Sequence, residues 1–501
     1  MRILLGSPVN QSPAILAEFL ASIRRLDCDG ISLSCVFIDD NESPESSRLL
    51  QSFDTGYETH VVRSQRSSTT EAYRKDDNSH WWRESLIWRV AGLKDFIIES
   101  AIDANFDFLF LVDSDLVLSP HLLKCLVAAD KDIISEVFWT AWTPGDNPLP
   151  QVWLSGQYEL AQRSRNEQLS PEETTARIQN FIRTLYQPGQ TRVGGLGACT
   201  LIRRNALEKG VRFSEIDNLG YTGEDRHFCI RARALGFELW ADTHHPPLHL
   251  YRESDLAKVE SYIAYEATNR WIHPRITLSM LVRNESGRYL EEALLAHREL
   301  IHNAVIIDDA STDDTISIVE RCLEGIPLRL IRNRESGFHN EHTVRKQQWN
   351  ETTAIGPDWI LNLDADQILD VDAKFHLREI INQKQSRFVG FPLYDMWNST
   401  HYREDALWNA HQRPWGTLFR YTPFFNYKWN ETAQHCGHFP CNLIFHGLCQ
   451  SQLRIKHMGW AKESDRQLKY DRYSKLDPDG IFGSLSQYAS ILDKNPRLLP
   501  W

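Results

Sequence analysis

Four short acidic clusters, each placed directly after an apolar run of strand length, constrain this chain more than any other feature. Residues 31–38 (ISLSCVFI) run into Asp39-Asp40, and residues 106–112 (FDFLFLV) run into Asp113-Ser114-Asp115. Later, residues 304–307 (AVII) run into Asp308-Asp309, and 358–363 (DWILNL) run into Asp364-Ala365-Asp366. Each half also opens on an apolar run. Residues 2–9 (RILLGSPV) end at Pro8 and Asn10, and residues 275–282 (RITLSMLV) end at Val282 and Asn284. A helical pattern follows each, from Pro13 to about Leu26 and from about Arg288 to His302. The same unit is therefore written twice. The copies differ in one spacing: Asp39 to Asp113 is 74 positions and Asp308 to Asp364 is 56, so the first copy carries about 18 extra residues, expected in a polar loop over 54–79.

Strands alternating with helices predict an α/β fold with a mostly parallel sheet and right-handed crossovers. Ligands in such sheets sit beyond the carboxyl ends of the strands, where all four acidic clusters fall. At 501 residues the chain exceeds what one core holds. The expected domains are 1–255 and 274–501, joined by a helical linker over 256–273, with a charged, Tyr-rich helical segment at about 461–495 closing the second.

The formal charge of −12 argues against non-specific nucleic-acid binding, and an acidic protein that holds an anionic diphosphate needs a cation to mediate. Nine scattered cysteines without a scaffold pattern favour a reducing compartment. The opening apolar run is too short for a signal segment and no stretch suits a membrane span, so a cytoplasmic setting is expected, with peripheral membrane contact left open. Asn-x-Ser/Thr matches such as those at Asn41, Asn284, Asn350, Asn398 and Asn430 are read as chance on that basis.

Two carboxylates leaving one turn at a strand end can share a divalent ion, and Mg²⁺ or Mn²⁺ bridging phosphate oxygens would stabilise a departing diphosphate. An isolated Asp-x-Asp is a turn or helix cap more often than a metal site. Phosphatases that use Asp-x-Asp as a nucleophile carry it after their first strand, whereas here it follows a separate Asp-Asp strand, twice. A nucleotidyltransferase would need a Gly-rich, Lys-containing loop after the first strand, and neither Ser7-Pro8-Val9-Asn10 nor Arg283-Asn284-Glu285 supplies one.

Both halves resemble GT-A-fold glycosyltransferases, the nucleotide-diphospho-sugar transferases with a Rossmann-like sheet, and in particular the large inverting family (family 2-like). The second copy carries the resemblance in SMLVRNE, VIIDDASTDDT, WILNLDADQIL and IKHMGW. The first carries it in VGGLGACTLIRRNAL, NLGYTGEDRHFCIRARALGFELWAD and PLHLY. The resemblance implies a tandem, bifunctional enzyme that transfers sugars with inversion from nucleotide-sugar donors, UDP-sugars foremost, to an acceptor hydroxyl. Asp113, Asp115 and His249 would hold Mn²⁺ or Mg²⁺ in the first domain, and Asp364, Asp366 and His457 in the second. Asp225, beside Glu224 at a helix start, would be the general base. The donor would lie against Pro8, Asn10, Asp39, Asp40 and Asp113 in one copy, and Val282, Asn284, Asp308, Asp309, Arg345 and Asp364 in the other.

The second copy lacks a clear Glu-Asp motif. Glu431, His435 and Asp395 are the alternatives for its base, and the reading in which only one domain is catalytic and the other a degenerate binding module stays open. The same stretch gathers Cys436, Cys441 and Cys449 among His435, His438 and His446, a density that raises zinc although the usual pair spacing is missing. The polar segment 155–192 reads either as an acceptor-side lid or as an exposed insertion.

Overall fold

The computed structural model describes residues 1–54, 56–65, 74–75, 80–81, 83–267, 274–382, 387–423, 425–433, 436–481 and 483–501. Two compact units are present: Met1–Ala267, and Thr268–Pro423 with Tyr427–Trp501. The expected α/β fold is found in each, with one large sheet that is parallel along one half and mixed along the other.

In the first unit the strands Glu58–Arg63, Ser32–Asp39, Arg2–Val9 and Phe108–Val112 lie side by side and parallel, in that order. Cys199–Arg203 then joins antiparallel to Phe108–Val112 and to Ile133–Glu136. Every residue of Phe108–Val112 is buried, which explains why its sequence is a continuous apolar run and not an alternation. The helix Glu84–Asp103 packs close on the first strand: a Cβ at Gly6 would stand 2.3 Å from Ile97 Cγ2, so glycine lets the two backbones approach. Glu58–Arg63 falls within the segment expected to be a loop. As an edge strand it buries little, so its ETHVVR sequence carries no strong pattern.

The second unit repeats this order. Leu328–Arg332, Asn303–Asp308, Ile276–Val282 and Trp359–Asn362 run parallel, followed by antiparallel Pro414–Arg420 and Phe388–Asp395. In both units a short strand after the acidic triplet pairs antiparallel with a later His-bearing strand. Leu116 stands opposite His249, and Gln367 opposite His457.

The segment expected to link the domains folds as a 3₁₀ turn, Glu253–Lys258, and a helix, Val259–Ala267. Val259 and Tyr262 pack with Ile15, Val117, Leu248 and Leu250, so this helix belongs to the core of the first unit, while 268–273 lie outside the described residues. The segment 155–192 contains a helix, Pro171–Leu185, started by a Ser170/Glu173 capping box and anchored by buried Phe181, Ile182 and Leu185. No helix among the described residues is long and apolar enough to cross a membrane.

His297 is fully buried in the second unit, where its Nε2 accepts the Leu369 N–H at 3.2 Å. Burial pushes the imidazole down to about 4. The unfolded chain takes up this proton below about 6.5 and the folded chain does not, so stability present above pH 6.5 is lost as pH falls towards 4. In urea titrations between pH 4 and 7, His297→Gln should remove up to about 3 kcal/mol of that acid sensitivity. Equal pH slopes in variant and parent would refute it.

Candidate functional site

The carboxyl ends of the first unit's strands open into a cavity of about 570 Å³. Its lining takes in Pro8, Asn10, Asp40, Asp113, Asp115, Glu224, Asp225 and His249, which come from sequence positions more than 200 residues apart. Asp113 and Asp115 leave the turn after Phe108–Val112. The pairing of Leu116–Val117 with Leu248–His249 brings His249 Nε2 to 3.4 Å from Asp115 Oδ2. Thr140 Oγ1 lies 2.8 Å from His249 Nδ1, which fixes the ring with Nε2 towards Asp115.

Glu224 and Asp225 occupy the first turn of the helix Glu224–Ala234, entered through Gly223 at φ +112°, a conformation that favours glycine. Under them lies Lys94 of the Glu84–Asp103 helix, 1% exposed, with Nζ 2.9 Å from Glu224 Oε1 and 3.0 Å from Asp225 Oδ1. Two carboxylates thus bond this ammonium directly, and its charge also reaches Asp113. Burial pushes Asp113 up to about 8: Lys94 opposes the shift, while Asp115, Asp225 and Glu224 add to it. Glu224 is raised for the same first reason, its loss of water.

Asp39 and Asp40 part company. Asp40 lines the cavity and takes Arg89 Nη2 at 2.6 Å and Nε at 3.2 Å. Asp39 is fully buried and accepts bonds from Arg63 Nη1 at 2.6 Å and Ser47 Oγ at 3.0 Å, which ties down the third strand.

The lining also takes in Phe138, Trp142, Trp153, Tyr158 and Tyr251, an aromatic wall suited to sugar rings, of which Phe138 and Tyr251 pack edge-on against His249. Trp153 lies on a short strand paired with Gly195–Leu196. A Cβ at Gly194 would fall 1.9 Å from the Leu154 carbonyl oxygen, so the glycines of VGGLG permit this crossing. Gln157 clamps the wall to the approach of the Glu224–Ala234 helix: its amide donates to Thr222 O at 2.7 Å and accepts from Thr222 N at 3.0 Å.

In the second unit Asp364 accepts from Arg345 Nη2 at 2.9 Å and lies 3.2 Å from His438 Nε2. Although burial works against it, the neighbouring His438 and Arg345 hold the Asp364 carboxyl well below its ordinary range. Asp366 Oδ2 lies 3.6 Å from His457 Nε2, and Lys469 Nζ donates to the same oxygen at 3.2 Å. His457 Nδ1 is 2.8 Å from Asp395 Oδ1, so Asp395, one of the base candidates, orients the histidine. Burial alone would lower His457, yet Asp366 and Asp395 lift it to about 9.

Asp308 accepts the Ser311 N–H at 3.3 Å. Asp309 is fully buried and accepts from Asn333 Nδ2, Ser336 Oγ and Gly337 N at 2.7–3.0 Å, an internal anchor for that loop. Val282 pairs in register with Asp308, and Asn284, at φ +51°, accepts the Thr312 N–H at 2.8 Å. Glu431 is exposed in the segment 425–433, and His435 lies outside the described residues.

Among the described residues, the one trio of donors that closes within 4.8 Å is Cys125, Asp242 and His244, so the Cys436–Cys449 stretch forms no such set there. Asp115 with His249 is a two-donor arrangement. It fits an ion that completes its shell from diphosphate oxygens and water, as Mg²⁺ and Mn²⁺ commonly do.

Sequence reading missed Lys94, Arg89, Thr140 and Lys469, and it raised His438 only as part of a zinc-like cluster, whereas the ring stands beside Asp364. Lys94 left one trace, a lysine inside an otherwise apolar helical face (GLKDFII).

No family model matches the chain. It is 25% identical over 215 residues to an uncharacterised protein of Mycobacterium tuberculosis, which covers 41% of this chain and 51% of that protein. It is 24% identical over 120 residues to an uncharacterised glycosyltransferase of Rickettsia felis, covering 24% and 38% respectively. The chain thus spans about half the length, or less, of these curated relatives. Among solved structures it is similar to residues 1–349 of S. aureus TarS at 14% identity, covering 54% of this chain and 66% of that one, with a TM-score of 0.31.

Burying Asp113 as a carboxylate is unfavourable, so its contribution to stability is present below the ordinary carboxylate range and is lost as pH rises through about 8. In EDTA, the parent should lose about 4 °C or more of Tm between pH 5 and 8.5 relative to Asp113→Asn. Parallel Tm profiles for the two would refute the assignment.

Proposed function

We propose that this protein is a glycosyltransferase whose first unit transfers a sugar from a nucleoside-diphosphate donor to an acceptor hydroxyl, with inversion. The observation that carries this reading is one aromatic-walled cavity in which the Asp113–Asp115–His249 group faces the Glu224–Asp225 helix start. The relatives named glycosyltransferases agree with it.

Asp115 and His249 would hold Mn²⁺ or Mg²⁺, with Asp113 behind them, and the ion when bound would supply the positive charge that the departing diphosphate requires. The acceptor oxygen attacks the anomeric carbon as the bond from that carbon to the phosphate oxygen breaks. The electron pair leaves with the diphosphate, and the acceptor proton passes to Asp225. Lys94 holds Asp225 Oδ1 at 3.0 Å and so fixes the carboxylate at the helix start. The aromatic wall and Gln151 would seat the acceptor and the transferred sugar, and the Pro8–Gln11 strand end the nucleotide. Uridine diphosphate sugars are the first donors to test.

A second unit of the same topology makes a tandem enzyme, but its side chains favour a division of labour. Of its base candidates, Asp395 is engaged with His457, Glu431 is exposed in a loop, and His435 lies outside the described residues. The first unit then carries the transfer and the second binds.

Full-length protein assayed for Mn²⁺-dependent transfer or hydrolysis across UDP- and GDP-sugars tests this. Asp225→Asn should lower kcat by about 10²–10⁴-fold while nucleotide binding persists. Asp115→Ala should abolish the metal response, and Asp366→Ala should leave the rate within about twofold. Full activity in Asp225→Asn would sink the assignment of the base, and loss in Asp366→Ala equal to that in Asp115→Ala would make both units catalytic.

A further inference from the structure

The acidic triplet of the second unit already contains a cation. Lys469 reaches it from the 14-residue helix Glu463–Leu476, with Nζ 3.2 Å from Asp366 Oδ2 and 3.4 Å from His457 Nε2. A divalent ion bound by those two atoms would stand about 2.0–2.3 Å from each. The lysine nitrogen already contacts both donors on the side it shares with them, so ion and ammonium compete for one small volume, with like charges a few ångströms apart.

Two further features build the lysine in. Its ammonium lies 4.3 Å from the centroid of the Trp460 ring, within cation–π range. A Cβ at Gly459 would fall 2.1 Å from both Asp366 Oδ2 and Lys469 Nζ, so any larger residue there would displace the contact. The other carboxylate of the triplet, Asp364, carries its own cation in Arg345, itself buried. In the first unit the matching oxygen, Asp115 Oδ2, takes an amide N–H from Gln11 at 3.4 Å.

We propose that Lys469 replaces the divalent metal in the second unit, whose strand ends bind a nucleoside diphosphate, free or sugar-linked, directly through the Lys469 ammonium. This rests on the nucleotide-sugar reading of the fold given above. It adds that the two units differ in metal requirement, and it removes Asp364, Asp366 and His457 from the set of metal ligands.

Mn²⁺ stoichiometry of the full chain, measured by electron paramagnetic resonance, tests it together with UDP binding by calorimetry. The parent should bind one Mn²⁺, lost in Asp115→Asn and kept in Asp366→Asn. Lys469→Ala should gain a second Mn²⁺ that Asp366→Asn abolishes. The Asp115→Asn chain should still bind UDP in EDTA, weakened at least tenfold by Lys469→Gln and restored by Lys469→Arg, which also controls for folding. Two Mn²⁺ in the parent, one of them lost in Asp366→Asn, would overturn the proposal, as would UDP binding to Asp115→Asn that needs Mn²⁺ or ignores Lys469→Gln. A parent that binds no Mn²⁺ would instead refute the metal reading of the first unit, and the UDP measurements would still decide the role of Lys469.

Discussion

Carboxylates crowded at the mouth of a sheet repel one another and lose water, and each unit must relieve that strain. In the first unit a buried lysine sits beneath the carboxylates. Lys94 binds Glu224 and Asp225, and its charge also reaches Asp113, yet burial and three neighbouring carboxylates still leave Asp113 far above its usual range. In the second unit Arg345 pairs with Asp364 and Lys469 with Asp366, and Asp364 is held below its usual range. The same backbone motif therefore carries two opposite electrostatic conditions, one short of positive charge and one supplied with it.

The parts of the fold legible in sequence were those set by burial. Fully covered strands such as Phe108–Val112 and Trp359–Asn362 read as near-continuous apolar runs, broken only by the hydrogen-bonded Asn362 at the end of the second, and the acidic turns after them mark the sheet's carboxyl edge. Edge strands were not legible. Glu58–Arg63 buries too little to impose a pattern on its residues. Nor could spacing separate Asp39 from Asp40. The two are neighbours on one chain, and only the side of the strand end each leaves from sends one to Arg63 and the other to Arg89.

Groups that act from a distant element were the least legible part of the site. Lys94 lies 130 positions from the carboxylate it holds, and Lys469 lies 103 from Asp366. A lysine in a helix usually faces water, and only the packing of that helix onto the sheet turns it inward. The histidines were named through the resemblance, and a short antiparallel pairing that recurs in both units places each beside its triplet.

The Gln157 clamp couples two properties that enzymes often vary separately. The arm that bears Trp153 and Tyr158 is hydrogen-bonded at both ends of one amide to the residue just before Gly223. A bulkier guest that presses the arm outward must pull on the start of the Asp225 helix. With Asp225 as the base proposed above, reshaping this wall to accept a different molecule would shift the timing of proton removal along with the fit, and breadth of choice would be traded against speed through a single glutamine.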